Sequence, residues 1–426
     1  TTLFALASVW CGLAPDVSQL IIARAVQGIG GALLVPGSLA IISASFGEER
    51  RGQAIGTWSG ITAITATVGP VVGGWLIEHV SWRAVFFINV PLAIAVLLIS
   101  FWRVPESRDD HAARRLDWWG AGFEAFGLGA LVYGLIESSR LGFSHPRIFA
   151  ALALGALSLI AFLIIEARSR SPMLPLALFR SRNFTGANLL TLFLYTALSG
   201  VMFFSPLNFI QVQGYSATEA GSAWLPFILI MFFLSRWSGG LVKSYGAKLP
   251  LVIGPVITAF GYALFILPGI SGSYWTTFFP AIVVLGLGMA TSVAPLTTTV
   301  MSAASQGLAG AASGVNNAIS RIAGVLGVAV LGLVMLHAFN GETDRHLAQL
   351  NIAPELQHVM DEQRVHLAGA ELPPDINDET RAALKQAINE SFIFGFRLVM
   401  IFAVGLALAS AFSAFMMIEG KQYRER

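Results

Sequence analysis

The chain alternates long apolar runs with short polar breaks, and this pattern predicts membrane-spanning helices. A helix needs about 20 apolar residues to cross the hydrocarbon core. Twelve runs qualify, covering 3–13, 18–45, 54–77, 84–102, 118–136, 148–165, 184–212, 220–241, 249–269, 276–301, 313–339 and 391–418. The first is short, and the chain opens at Thr1 already inside it, so the expectation is that helices precede Thr1. The predicted fold class is an all-α polytopic membrane protein. One stretch breaks the pattern. Residues 340–390 are polar, with Leu347, Leu350, Leu356, Val359 and Met360 spaced as in short amphipathic helices.

Composition supports the spans. Of 426 residues, 55% are hydrophobic and 12% are charged, where a soluble domain carries about a quarter charged. Charge then gives the orientation, because Lys and Arg favour cytoplasmic loops. The segments 46–53, 103–116, 168–182, 243–248, 302–312 and 421–426 carry 2, 4, 4, 2, 0 and 3 basic residues. The short loops on the other side carry only Arg83, Arg140 and Arg147. The basic side is read as cytoplasmic, with the C-terminus on it. Residues 340–390 then lie outside, with ten acidic and four basic residues, a net of −6. They read either as a solvated connector or as a docking surface for a periplasmic or extracellular adaptor protein.

A repeat at a shift of 258 residues organises the spans. Gly28 and Gly30 fall on Gly286 and Gly288; Gly52, Ala54 and Gly56 on Gly310, Ala312 and Gly314; Gly69 on Gly327; Gly74 on Gly332. Both copies run in the same direction, as in two similar halves about an axis along the membrane normal. The repeat makes the second span the fourth of its half. Two helices are therefore expected before Thr1, and 118–136 with 148–165 become an extra pair between the halves. The expected domains are 1–102 (the last four helices of the first half), 103–182 (the extra pair and cytoplasmic loops) and 183–426 (a six-helix second half). The parent arrangement is 6 + 2 + 6.

Polar residues inside the spans are the candidate chemistry. Arg24, in Arg24-Ala25-Val26-Gln27-Gly28, is costly in lipid and reads either as functional or as a structural arginine satisfied by carbonyls. Gly69-Pro70-Val71-Val72-Gly73-Gly74 combines close-packing glycines with a proline that removes a backbone donor. Trp82 and Arg83 suit an outer interface, and Asn89 should bond to a neighbouring helix.

The R-x-x-Q-G element (Arg24, Gln27, Gly28), the G-P-x-x-G-G element (Gly69, Pro70, Gly73, Gly74) and the W-R-x-x-F-x-x-N-x-P element from Trp82 to Pro91 together resemble the fourteen-helix drug:proton antiporters of the major facilitator superfamily, the EmrB/QacA type. The resemblance covers essentially the whole chain. It implies a proton-coupling arginine at Arg24 and an antiporter signature at Gly69, Pro70, Gly73 and Gly74, with Thr65 where a glycine is frequent. It also implies a cytoplasmic loop motif at Gly239, Gly246 and Lys248, with Lys243 where an acid is common.

By the same resemblance, the substrate path draws on Asn188, Tyr195, Asn208, Gln211 and Trp224 of the second half. Asn316, Asn317 and Arg321 share the eleventh span and read either as substrate contacts or as interhelical hydrogen bonds. The acid within a span, Glu124, belongs to the extra pair, away from the expected cavity. The implied activity is export of hydrophobic or amphiphilic small organic compounds in exchange for protons, by alternating access at a bacterial plasma (inner) membrane. The alternative is a transporter of the same fold for a defined metabolite. No cofactor beyond the proton gradient is implied.

Other classes find little in the sequence. There is one cysteine, Cys11, which leaves neither an internal disulfide nor a cysteine metal cluster. The net charge of +2 does not suggest nucleic acid. There is no Gly-rich nucleotide loop, H-E-x-x-H or nucleophile elbow, so an enzyme is not expected.

Overall fold

The computed structural model describes residues 1–45, 65, 68–69, 71–103, 117–169, 172, 174–303, 309–350, 354–370, 372–373 and 376–420. They are almost entirely helical. Nine of the described helices are long and apolar enough to cross a membrane, and two shorter apolar ones cover Thr2–Leu13 and Lys248–Leu264. These eleven match eleven of the twelve expected runs. Most of the remaining run, 54–77, together with Pro70, Gly52, Ala54 and Gly56, lies outside the described residues.

The chain divides into two compact units, Thr1–Ala112 with Tyr215–Ile228, and Ala113–Gly214 with Leu229–Arg426. In the first unit, α1 (Thr2–Leu13) and α2 (Val17–Ser45) form a hairpin. The Asp16 carboxylate accepts the backbone N–H of Gln19 at 2.8 Å and so satisfies an orphan donor at the start of α2. Gly30 permits the crossing, since a Cβ there would lie 2.7 Å from the backbone nitrogen of Phe4. A helix over 71–79 (α3) is followed by α4 (Ala84–Phe87) and α5 (Asn89–Arg103). The two follow on through Ile88, which keeps helical dihedrals, as one span over Ala84–Arg103 that matches the expected 84–102. The short α9 (Ala217–Ser222) starts with a capping box, Ser216 and Glu219 each accepting the other's backbone N–H.

In the second unit, α6 (Trp118–Leu141) and α7 (Pro146–Arg168) pair as a hairpin. The Ser158 hydroxyl donates to the Phe123 carbonyl at 2.8 Å across it. The core is a packed set of α8 (Arg182–Leu207), α11 (Lys248–Leu264), α12 (Phe278–Ser302), α13 (Ala309–Leu350) and α15 (Asp378–Met417). Small residues bring these backbones together, as membrane packing favours. A Cβ on Gly288 would meet the Thr258 backbone nitrogen at 2.5 Å, and one on Gly261 the Leu285 nitrogen at 2.7 Å. The repeat partners Gly30 and Gly288 therefore do the same work, each seating its helix on the one before.

Two expected boundaries differ. The run 220–241 carries a turn at Ala223 and Trp224 between α9, which ends at Ser222, and α10 (Leu225–Tyr245), within one apolar span that begins at Ala217. The described residues of 340–390 are largely helical rather than loop. α13 continues to Leu350, α14 spans Pro354–Gln363, a 3-10 turn covers Arg364–Gly369, and α15 begins at Asp378. Arg364 ties this cap together. Its guanidinium donates to Asp344 and Asp361, each at 2.5 Å, and to the Asn340 carbonyl at 3.3 Å. Of the expected amphipathic positions, Leu347 and Met360 are buried, whereas Leu350 and Val359 are exposed.

Candidate functional site

The first polar site is built on the α1–α2 hairpin. Arg24 and Gln27 lie three apart on α2 and so face the same way. The Arg24 guanidinium donates to Gln27 Oε1 at 2.5 Å and lies 5.8 Å over the Phe86 ring. Gln27 is buried, and its Nε2 donates to Ser8 Oγ at 2.8 Å. Ser8 donates in turn to the Phe86 carbonyl at 3.0 Å and accepts from Asn89 Nδ2 at 2.9 Å. The Cys11 thiol lies 3.8 Å from Gln27 Oε1.

Two motifs far apart in sequence therefore meet on one hydroxyl. Ser8 was not among the sequence-predicted residues, because a single serine in an apolar run carries no periodic signal. Arg83 serves a different purpose, donating to the Ala14 carbonyl at 3.2 Å and lying 4.7 Å over the Trp82 ring. That satisfies a carbonyl just past the end of α1.

Of the antiporter-type element, Gly73 and Gly74 lie on α3, Gly69 just before it, and Pro70 outside the described residues. Gly69 and Gly73 face open space, but a Cβ on Gly74 would lie 2.5 Å from the carbonyl oxygen of Ala217. One turn on, the Glu78 carboxylate accepts from the Thr218 hydroxyl at 2.6 Å and from its backbone N–H at 3.3 Å. The hydroxyl bond is the main cause of a Glu78 pKa below the usual carboxylate value, with the amide bond adding to it. Gly74 and Glu78 thus hold the start of α9. Trp224, expected on the substrate path, is buried against Phe227 two residues after α9.

The second polar site lies between α8 and α13. Asn316 Nδ2 donates to Asn188 Oδ1 at 3.0 Å and to Thr191 Oγ1 at 2.7 Å, while Asn188 Nδ2 donates to the Phe184 carbonyl at 2.9 Å. Asn188 and Asn316 are thus brought together as an interhelical clamp, one of the two readings the sequence left open. Asn317 is exposed, and its carbonyl accepts from Ser320. Tyr195 is half-buried on α8.

Pro206 lies near the end of α8, and the chain continues as a π turn over Asn208–Val212. Such turns re-aim side chains and recur at functional positions. Asn208 Oδ1 accepts from Gln213 Nε2 at 3.1 Å. Gln211 lines a cavity of about 460 Å³ with Phe203, Phe204, Leu336, His366 and Leu367. A second cavity, of about 470 Å³, lies between α6 and α13 and is lined by Glu124 and Arg321 among apolar side chains. The structure therefore joins two residues that the sequence kept apart.

The loop motif proves to be a helix connection. Gly246, with φ of 80°, follows the last residue of α10 and donates its N–H to the Val242 carbonyl at 2.9 Å. This left-handed position favours glycine. Lys248 opens α11, and its ammonium lies 4.6 Å over the Phe415 ring. Gly239 faces open space, as does Gly28 on α2. The side chain of Lys243 lies outside the described residues.

Residues 1–328 match the family model of the Major Facilitator Superfamily. The chain is 32% identical over 426 residues to the multidrug resistance protein Stp of Mycobacterium tuberculosis, covering 97% of this chain and 77% of that protein. It is 31% identical over 415 residues to the tetracenomycin C resistance and export protein of Streptomyces glaucescens, covering 96% and 76% respectively. Among solved structures, it is similar to an inward-facing, unoccupied bacterial homologue of the human lysosomal transporter Spinster. The TM-score is 0.61 at 17% identity, covering 98% of this chain and 82% of that one, a likeness of fold alone.

Proposed function

The chain belongs to the Major Facilitator Superfamily, and on that premise we propose that it exports hydrophobic or amphiphilic compounds in exchange for protons by alternating access. The observation that carries this reading is the Arg24 network. The guanidinium is held by Gln27 and by the Phe86 ring, and among the described residues it makes no other hydrogen bond. An intramembrane cation held by an amide and a ring, with no acid beside it among the described residues, can respond to the charge state of a carboxyl or of a substrate. Similarity to proteins named for multidrug and tetracenomycin resistance supports an organic, amphiphilic cargo.

The chain is placed in the fourteen-helix EmrB/QacA branch, in a 6 + 2 + 6 arrangement. This rests on the 258-residue repeat and on the equivalent packing of Gly30 and Gly288. In this reading 1–102 belongs to the first half, 103–182 carries the extra pair α6 and α7, and 183–426 is the second half. The membrane is the bacterial plasma membrane, with the C-terminus cytoplasmic as the loop charges indicate. The acidic cap over 340–390 faces outward, where it suits a periplasmic adaptor. Gln211 and the aromatic pair Phe203 and Phe204 stand for the substrate path, and Arg24 with Gln27 for coupling.

The test is dye transport in proteoliposomes under an imposed pH gradient. Accumulation of a fluorescent amphiphile that collapses with the gradient, and is lost in Arg24→Gln, is expected. Full-length protein that is folded but moves no dye under the gradient overturns the multidrug reading, and gradient-driven uptake of a single defined metabolite would replace it.

A further inference from the structure

Two cavities follow one another along α6 and α13, the second walled also by α8 and the Arg364–Gly369 turn. The first, about 470 Å³, is walled by Glu124, Leu128 and Val132 of α6 and by Arg321, Val325 and Leu326 of α13. The second, about 460 Å³, continues past Leu135 and Ile136 of α6 and past Val328, Gly332 and Leu336 of α13. On α6, Glu124, Leu128, Val132 and Leu135 follow at spacings of four, four and three, so they form one stripe. The α13 residues repeat at similar spacings. The two cavities share no lining residue, and the α6–α13 seam passes along both. From Glu124 to Leu135 it runs about 16 Å at 1.5 Å per residue. That is about half of a roughly 30 Å hydrocarbon core, the depth of one lipid leaflet.

Its charges sit at one end. Glu124 and Arg321 are the ionisable groups lining the first cavity, and among the described residues neither makes an ion pair or a side-chain hydrogen bond. A guanidinium against apolar walls calls for an anion, which it can grip with two parallel N–H donors when the anion is a phosphate. A carboxylate on the facing wall calls for a donor cation. The remaining length of the seam is apolar apart from Gln211 and His366 at its far end. A compact drug would fill one cavity. A long molecule bearing both an ammonium and a phosphate at one end fits both cavities and both charges.

We propose that the seam between α6 and α13 is a binding site for a bilayer phospholipid with a primary ammonium on its head group. Arg321 holds the phosphate, Glu124 accepts from the ammonium, and one acyl chain lies along the apolar seam. The apolar seam takes in the cavity of Gln211, Phe203 and Phe204 that the proposed function reads as substrate path, so a lipid there competes with a transported amphiphile, while the site uses neither Arg24 nor the Asn188–Asn316 clamp.

Gly129 supplies a clean block. It lines the first cavity, and a Cβ built on it meets nothing within 4 Å, so the side chain of Gly129→Phe starts in open space within the cavity. The experiment is native mass spectrometry of the delipidated full chain with equal amounts of phosphatidylethanolamine, phosphatidylcholine and phosphatidylglycerol. Phosphatidylethanolamine should be retained about tenfold over the other two, the effect of one charge-assisted hydrogen bond. Glu124→Gln should abolish the preference over phosphatidylglycerol, Arg321→Gln should weaken retention of all three, and Gly129→Phe should remove retention at an unchanged melting temperature. Equal retention of the three lipids, full retention in a folded Gly129→Phe chain, or displacement of the lipid by a cationic dye that needs Glu124 would each overturn the proposal.

Discussion

Replacing Ser8 by alanine tests the network on which the Arg24 reading depends. The hydroxyl donates to the Phe86 carbonyl at 3.0 Å and accepts from Gln27 Nε2 at 2.8 Å and Asn89 Nδ2 at 2.9 Å. Side-chain hydrogen bonds between membrane helices average about 0.6 kcal/mol, so three contribute roughly 1.8 kcal/mol. Two amides left without an acceptor push the cost upward. At 1.4 kcal/mol per factor of ten, release of α1 from α2, α4 and α5 together should rise at least about twentyfold. The chain carries its own reporter, because Cys11 is fully buried (0% exposed) beside Gln27. Its labelling by a maleimide in detergent should accelerate by that factor when reclosing outpaces labelling. Ser158→Ala, which removes a bond in the other unit, should leave the rate unchanged. A Ser8→Ala rate within twofold of the parent would refute the reasoning, and the network would then be too weak to position Arg24.

Three further predictions follow the same logic. Asn316→Ala deletes both donors of the α8–α13 clamp and should cost about 1–2 kcal/mol in thermal unfolding, with Asn316→Asp recovering less than half because a carboxylate cannot donate. Gly74→Leu places a side chain against the Ala217 backbone and should abolish transport or lower the melting temperature sharply, whereas the same change at Gly73, which faces open space, should do neither. The Glu78 contact should depend on pH with a definite sign. Its folded pKa is lowered, chiefly by the Thr218 hydroxyl, so its contribution is complete above the usual carboxylate pKa of about 4.3 and is lost as pH falls through the lower folded value. Hydrogen exchange at the Thr218 amide should therefore lose protection only under acid conditions, and Glu78→Gln should remove that step.

The spans were legible because lipid imposes one rule, that backbone groups be satisfied within the segment, and apolar length reports it directly. The repeat was legible through glycines whose close approaches recur, as at Gly30 and Gly288. The polar cap misled for a related reason. Hydropathy marks where a helix leaves lipid, not where it ends, and α13 and α15 run on through residues read as loop. The Asn188–Asn316 bond and the Glu124–Arg321 cavity join residues 128 and 197 positions apart, a proximity that no spacing along the chain encodes. Ser8 was invisible for the same reason. Its importance comes from its partners and not from its neighbours.

The length of α13 and α15 has a mechanical consequence. At 42 and 40 residues they are about 60 Å long, twice the roughly 30 Å core. Each is a lever with one arm in the bilayer and one in water. Arg364 fastens the Arg364–Gly369 turn to the outer arm of α13 through Asn340 and Asp344. A tilt of about 10° inside the membrane would move the far tip of a 30 Å arm by about 5 Å. The cap thus amplifies small rotations of the buried helices, and a pair of spin labels on α14 and the outer arm of α15 would read motion in the membrane from outside it.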